Sequence, residues 1–150
     1  MAMQKISMGA LLALTVAGIF MSLVASGALV AYQKVPNTGT VTAVGVGVYW
    51  NSACTSNVTS IDWGTLTPSS TVSKTIYIKN EGNKRISLSM TAANWNPTSA
   101  SKYITLTWNR QGTVLEAGQV VQATLVLSVS PSITGVTNFS FEITITGTEY

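Results

Sequence analysis

Hydrophobic positions follow two different rhythms along this chain. Residues 6–33 contain no Asp, Glu, Lys or Arg, and Met8 to Val30 is mostly Leu, Ala, Val, Ile, Phe and Met. About 25 such residues in one helix span roughly 37 Å, enough to cross a hydrocarbon core ~30 Å thick. Val35-Pro36-Asn37-Thr38-Gly39 then breaks the pattern with turn-forming residues. Beyond it the period drops to two, the signature of strands with one face buried and one in water. Ile86, Leu88, Met90 and Ala92 alternate with Arg85, Ser87, Ser89 and Thr91. Ile104, Leu106 and Trp108 alternate with threonines, and Val121, Ala123, Leu125, Leu127 and Val129 share one face of a longer strand. Phe139, Phe141, Ile143 and Ile145 form another face, as do Val72, Ile76 and Ile78. Pro68-Ser69-Ser70, Asn80 to Asn83, Asn96-Pro97, Gln111-Gly112, Ala117-Gly118 and Pro131 to Gly135 supply the turns.

With further strands near 41–50 and 58–62, the pattern predicts about seven strands and no long helix after the linker, which points to an immunoglobulin-like β-sandwich. The expected organisation is a leader, signal or transmembrane helix over 1–34, a linker over 35–40, and an all-β sandwich over 41–150. Leu66, Val72, Thr75, Ile76 and Ile78 are echoed by Leu115, Val121, Thr124, Leu125 and Leu127, each a turn followed by a core strand. Two copies read as equivalent entries into one sandwich rather than as a repeat array.

Composition narrows the functional class. Charged residues make up 9% of the chain, against roughly 25% in an average soluble domain. Ser, Thr, Asn and Gln must carry solubility, and such a neutral, hydroxyl-rich surface suits packing against further copies of the chain or attachment of sugars. The net charge is +3, with only Lys84-Arg85 adjacent in the domain. No basic stripe with interleaved aromatics is present, so no nucleic acid is expected as a partner. Cys54 is the single cysteine, which excludes an internal disulfide; it reads as a small half-buried side chain or as a thiol for pairing between chains.

The absence of histidine removes the Ser-His-Asp triad, the Cys-His dyad and His-ligated metals. Asp62, Glu81, Glu116, Glu142 and Glu149 are the only acids and stand far apart in sequence. No catalytic, cofactor-binding or metal-binding set is predicted, and no small-molecule substrate.

Three readings of the leader stay open. Retained, residues 6–33 anchor the protein in a membrane with the β-domain outward, as Lys5 on the inner side suggests. Cleaved, Ala25-Ser26-Gly27-Ala28 supplies the small residues a signal peptidase reads, with a cut after Ala28 or Ala31. In the third, Lys5-Ile6-Ser7-Met8 followed by an apolar helix resembles the start of archaeal type IV pilins and flagellar filament proteins. That resemblance implies removal of a short basic leader and use of the helix as a filament core. Gly or Ala usually precedes the cut in those families; here it is Lys5.

The stretch Ile61-Asp62-Trp63-Gly64-Thr65-Leu66-Thr67-Pro68, followed by Val72 to Asn83, resembles a pattern in small archaeal surface proteins. These carry one immunoglobulin-like domain behind an N-terminal apolar segment. It is also similar to camelysin-like fibre proteins and archaeal bundling pili. The resemblance covers about 20 residues plus the overall layout, and it implies an extracellular sandwich.

Among individual residues, Val41, Val44, Gly45, Val46, Gly47 and Val48 form a candidate subunit-joining strand. Val44, Val46 and Val48 are expected on one face, with Ala43, Gly45 and Gly47 on the other. No charge or proline guards this segment. It is either a donor strand completing the sheet of a neighbouring copy or an ordinary first strand covered by its own domain. Trp63 and Trp95, beside turns, are candidate exposed aromatics for stacking on sugars, or rim packing; Trp108 alternates with core residues. Asn57-Val58-Thr59 and Asn138-Phe139-Ser140 are N-glycosylation sequons, with Asn57 and Asn138 as acceptors. The expected role is an exported cell-surface structural protein, a pilin-like or fibre-forming subunit whose partners are copies of itself. The alternative is a membrane-anchored immunoglobulin-like binding module that does not polymerise.

Overall fold

The computed structural model describes residues 37–150. The apolar segment at 6–33, the cleavage positions after Ala28 and Ala31, and the pilin-type cut before Ile6 lie outside the described residues.

The period-two segments form strands, and their register arranges them in two sheets. They are β1 (Thr38–Val44), β2 (Gly47–Tyr49), β3 (Ser60–Asp62), β4 (Thr71–Lys79), β5 (Ile86–Asn96), β6 (Ile104–Trp108), β7 (Val114–Leu115), β8 (Val120–Val129) and β9 (Ser140–Glu149). A short 3-10 helix, Thr98–Lys102, links β5 to β6. The five-stranded sheet has the order β3-β1-β9-β5-β7 and the four-stranded sheet the order β2-β4-β8-β6. Pairings are antiparallel except β1 with β9, which run parallel over seven residues, Thr38 beside Ser140 through Val44 beside Thr146.

The inward faces of both sheets meet in one core. Ile61, Leu88, Phe141, Ile143 and Ile145 come from the five-stranded sheet, and Ile76, Ile78, Leu125, Leu127 and Ile104 from the four-stranded one. Each side chain taken out of water in this way contributes roughly 1.5–3 kcal/mol. The described residues are thus mostly β, with two sheets around a shared apolar layer.

The strand count exceeds the expected seven because two stretches are divided or newly formed. The segment predicted as one strand near 41–50 is two, β1 and β2, which lie in different sheets. Its break falls at Gly45, whose φ is +71°. A residue in the left-handed region reverses the chain direction and resets which side faces inward. Val44 therefore points to solvent, 48% exposed, while Val46 and Val48 are buried; the expectation of a single face for all three valines is corrected. β7, two residues long, carries too little alternation to be seen in sequence. The domain also starts earlier than position 41: Asn37 is buried, and β1 begins at Thr38 inside the stretch expected to be linker.

β5 contains a second parity change. Its pairing with β9 is irregular between Ala93 and Asn96, and Asn94 adopts φ +53°. Such a bulge inserts an extra residue and re-aims the following side chain. Even-numbered residues point inward up to Met90, whereas odd-numbered Trp95 packs on the core after the bulge.

Candidate subunit-joining strand

β1 occupies an interior position. It pairs with β3 on one side and β9 on the other, so the part of the candidate joining strand with Val41 and Val44 is covered by its own domain, whereas Gly47 and Val48 lie in β2, at the edge of the four-stranded sheet. Its hold is slight. Of its seven residues only Gly39 and Val41 are buried; Thr40, Thr42, Ala43 and Val44 are exposed. The strand thus rests on backbone pairing and one large apolar side chain.

Gly39 marks the tightest point of the seat. A Cβ there would lie 3.0 Å from Ile143 Cδ1 and 3.2 Å from both Phe141 Cζ and Trp63 Nε1. The Trp63 indole N–H is buried against this point and has no hydrogen-bond partner among the described residues. At the far end, Gly45 and Val46 alone join β1 to β2. A Cβ on Gly45 would approach the Gly147 carbonyl oxygen to 2.7 Å, so neither the φ angle nor the space there admits a side chain.

The near end is pinned by Asn37. Its side-chain Nδ2 donates to the Gly64 carbonyl at 2.9 Å, its Oδ1 accepts from the Phe139 N–H at 3.1 Å, and its carbonyl accepts from the Trp63 N–H at 2.8 Å. These bonds fix the direction in which the chain enters the sandwich.

The candidate exposed aromatics are corrected by the packing. Trp63 is 2% exposed. Trp95 is half-buried, its ring stacked on Phe141 with centroids 4.2 Å apart and planes 4° apart. Trp63 also stacks on Phe141, at 6.4 Å. Phe139 completes the group, 6.0 Å from Phe141. These rings form an internal wall of the five-stranded sheet. The bulge at Asn94 and the extension of β3 pairing to Trp63 draw both indoles inward, and neither feature is marked by periodicity.

Asn57 lies exposed in the loop between β2 and β3, and Asn138 is half-buried just before β9. The carboxylates are dispersed. Asp62 accepts from the Gly64 N–H, Glu142 from Asn94, Glu116 pairs with Arg85 and Glu149 with Lys84. Among the described residues no group of three His, Cys, Asp or Glu could hold a metal ion, and no helix is long and apolar enough to cross a membrane.

Glu81 accepts a short hydrogen bond from the Tyr49 hydroxyl. That bond first, then burial and the Glu81 charge, raise the Tyr49 pKa above its ordinary value. The folded state therefore holds the phenolic proton more tightly than the unfolded chain. The resulting stability is complete below the unfolded tyrosine pKa near 10 and is lost as pH rises through the folded value. Tyr49→Phe should remove this alkaline loss, measured as denaturation midpoints from pH 8 to 11. An unchanged alkaline slope would exclude Tyr49 as its source.

The outward faces carry rows of hydroxyl side chains and few charges. Across the four-stranded sheet, register aligns Thr105 with Ser128 and Thr71, and Thr107 with Val126 and Ser73. Across the other sheet, Thr42, Thr144 and Thr91 form a row. Such faces carry little like-charge repulsion against a second copy.

No family model matches the chain, and no curated protein sequence is significantly similar to it.

Proposed function

We propose that the protein is an exported structural subunit of the cell surface, with an immunoglobulin-like sandwich, that assembles with copies of itself by exchanging β1. The observation that carries this reading is an interior strand with little buried side chain on a two-residue hinge. β1 immediately follows the N-terminal apolar segment, contributes one large buried side chain, and is tied to β2 through Gly45-Val46 alone. A strand exchanged between identical chains recovers the same backbone bonds and the same Gly39 contacts, so it is nearly neutral in energy per contact. Gly45-Val46 is a two-residue hinge, and short hinges between elements invite exchange. Head-to-tail exchange does not close on itself and yields a fibre. The sparsely charged, hydroxyl-bearing faces favour lateral packing of such fibres.

The experiment is electron microscopy of the cell surface with the wild-type protein and with Gly39→Val. The added side chain overpacks the seat against Trp63, Phe141 and Ile143 at a cost of about 2 kcal/mol, whichever copy supplies the strand. Filaments should be present with the wild type and sparse or absent with the variant, while the variant protein still reaches the surface. No filaments with the wild type, or equal filaments with both, would oppose the proposal.

A further inference from the structure

The chain from Ser56 to Asp62 borders one flank of the sandwich. β3 (Ser60–Asp62) is the outer strand of the five-stranded sheet. Just before it, the Trp50 N–H donates to the Ser56 carbonyl at 2.8 Å and the Val58 N–H to the Val48 carbonyl at 3.0 Å, so residues 56–58 lie outside β2 on the four-stranded sheet. Sheet edges are normally guarded by charge or proline. Here no Asp, Glu, Lys, Arg or Pro occurs from Asn37 to Ile61. The same run holds Asn57-Val58-Thr59. Val58 is 5% exposed and packs in the core, whereas Asn57 and Thr59 on either side of it are exposed. Extended backbone carries residues i and i+2 on one face, so the Asn57 amide and the Thr59 hydroxyl meet solvent together. The loop that leads to them is held from within, because Asn51 Oδ1 accepts from the Thr55 and Ser56 N–H groups at 3.0 and 3.1 Å.

We propose that Asn57 carries an N-linked glycan and that Asn138, the other sequon asparagine, carries none. The site requires the export proposed for this protein, which brings the chain to a membrane-bound oligosaccharyltransferase and its lipid-phosphate-linked sugar donor. Asn57 Nδ2 attacks the anomeric carbon of that donor and the new C–N bond forms. The bond from the anomeric carbon to the phosphate oxygen breaks, the lipid phosphate leaves, and one amide proton passes to a base of the transferase. Both the amide and the hydroxyl of the triplet must enter that enzyme. Asn57 and Thr59 are placed for this and the second triplet is not. Asn138 is half-buried, and Ser140 lies in β9 between Thr38 of β1 and Asn96 of β5. The Phe139 N–H donates to Asn37 Oδ1 at 3.1 Å, and its carbonyl accepts from the Thr38 N–H at 3.3 Å. Presenting Asn138 and Ser140 to an enzyme would pull β9 from both neighbours. A sugar on Asn57 also supplies the guard that this flank lacks, because its bulk and hydration block another strand from pairing with residues 56–58.

The full chain is produced in its own cells as wild type, Asn57→Gln, Thr59→Ala, Thr59→Ser and Asn138→Gln. Each protein is fractionated into surface and internal pools, and its intact mass is measured. The expected result is a sugar mass on the surface wild type, on Thr59→Ser and on Asn138→Gln, and its complete loss from Asn57→Gln and Thr59→Ala. Fragmentation of the wild-type glycopeptide should place the sugar on Asn57, a result that holds even where a variant does not fold. Surface wild type with the bare polypeptide mass would overturn the site and leave export standing. A sugar that persists in Asn57→Gln, or one that vanishes in Asn138→Gln, would overturn the choice between the two asparagines. Wild type held inside the cell would overturn export and the site with it. Glycosylated surface protein that forms no filaments would support the site and count against assembly alone.

Discussion

Phe141→Ala is expected to cost about 4 kcal/mol of unfolding free energy, within the range for deleting a buried aromatic side chain. Phe141 is 2% exposed and lies on β9, between β1 and β5 in the centre of the five-stranded sheet. Its ring stacks on Trp95 at 4.2 Å, with Trp63 at 6.4 Å and Phe139 at 6.0 Å. Truncation removes the transfer free energy of the ring and leaves a space that the flat neighbouring indoles fill poorly. It also strips one of the three contacts that define the Gly39 seat. Chemical denaturation of the wild type and variant would measure the loss, with Phe141→Leu as a milder comparison. A loss below about 1 kcal/mol would mean that the aromatic wall is not part of the stable core.

Asn80→Ala is expected to cost about 3 kcal/mol, the consequence of leaving several buried polar groups unpaired. Asn80 is fully buried at the end of β4. Its Nδ2 donates to the carbonyls of Lys84 and Leu115, at 2.6 and 3.2 Å, and its Oδ1 accepts from the Gly82 N–H at 3.1 Å. Its backbone is bonded to Gln119 and Gly118 as well. One side chain thereby joins the β4–β5 turn to β7, and its backbone joins the same point to the β7–β8 turn. Asn80→Asp should be at least as damaging, because a carboxylate would face two carbonyl oxygens that need donors. Retention of wild-type stability in both variants would show that the turns hold without this side chain.

Asn80 also illustrates what sequence reading resolves and what it does not. In the sequence it belongs to Asn80-Glu81-Gly82-Asn83 and reads as a turn marker, which it is. That its side chain is buried and bonded to Leu115, thirty-five residues away, depends on tertiary packing that no local pattern encodes. The long strands were legible because burial on one face imposes alternation: Ile143 and Ile145, or Leu125 and Leu127, are buried as their spacing implies. Alternation is blind where one residue resets it. Gly45 moves the chain between sheets and splits an apparently continuous valine-glycine strand, and Asn94 re-aims Trp95. Trp63 was obscured for a different reason, since its inward position depends on pairing with Asn37 rather than on a run of apolar neighbours. The candidate joining strand itself was visible as an unguarded uncharged segment. Its boundary, its interior place and its hinge were not, because they are properties of the sheet rather than of the segment.

The central claim is that β1 completes the sheet of another copy in the assembled protein. Thr40 on β1 and Ser60 on β3 are register partners with exposed side chains. The Thr40→Cys, Ser60→Cys, Cys54→Ala protein is isolated as full chain from the surface of expressing cells, oxidised there, and run on a non-reducing denaturing gel. Strand exchange predicts a ladder of covalent multimers that collapses to one band on reduction. Complete cross-linking within single chains, with no ladder, would contradict the account and leave β1 as a strand of its own domain.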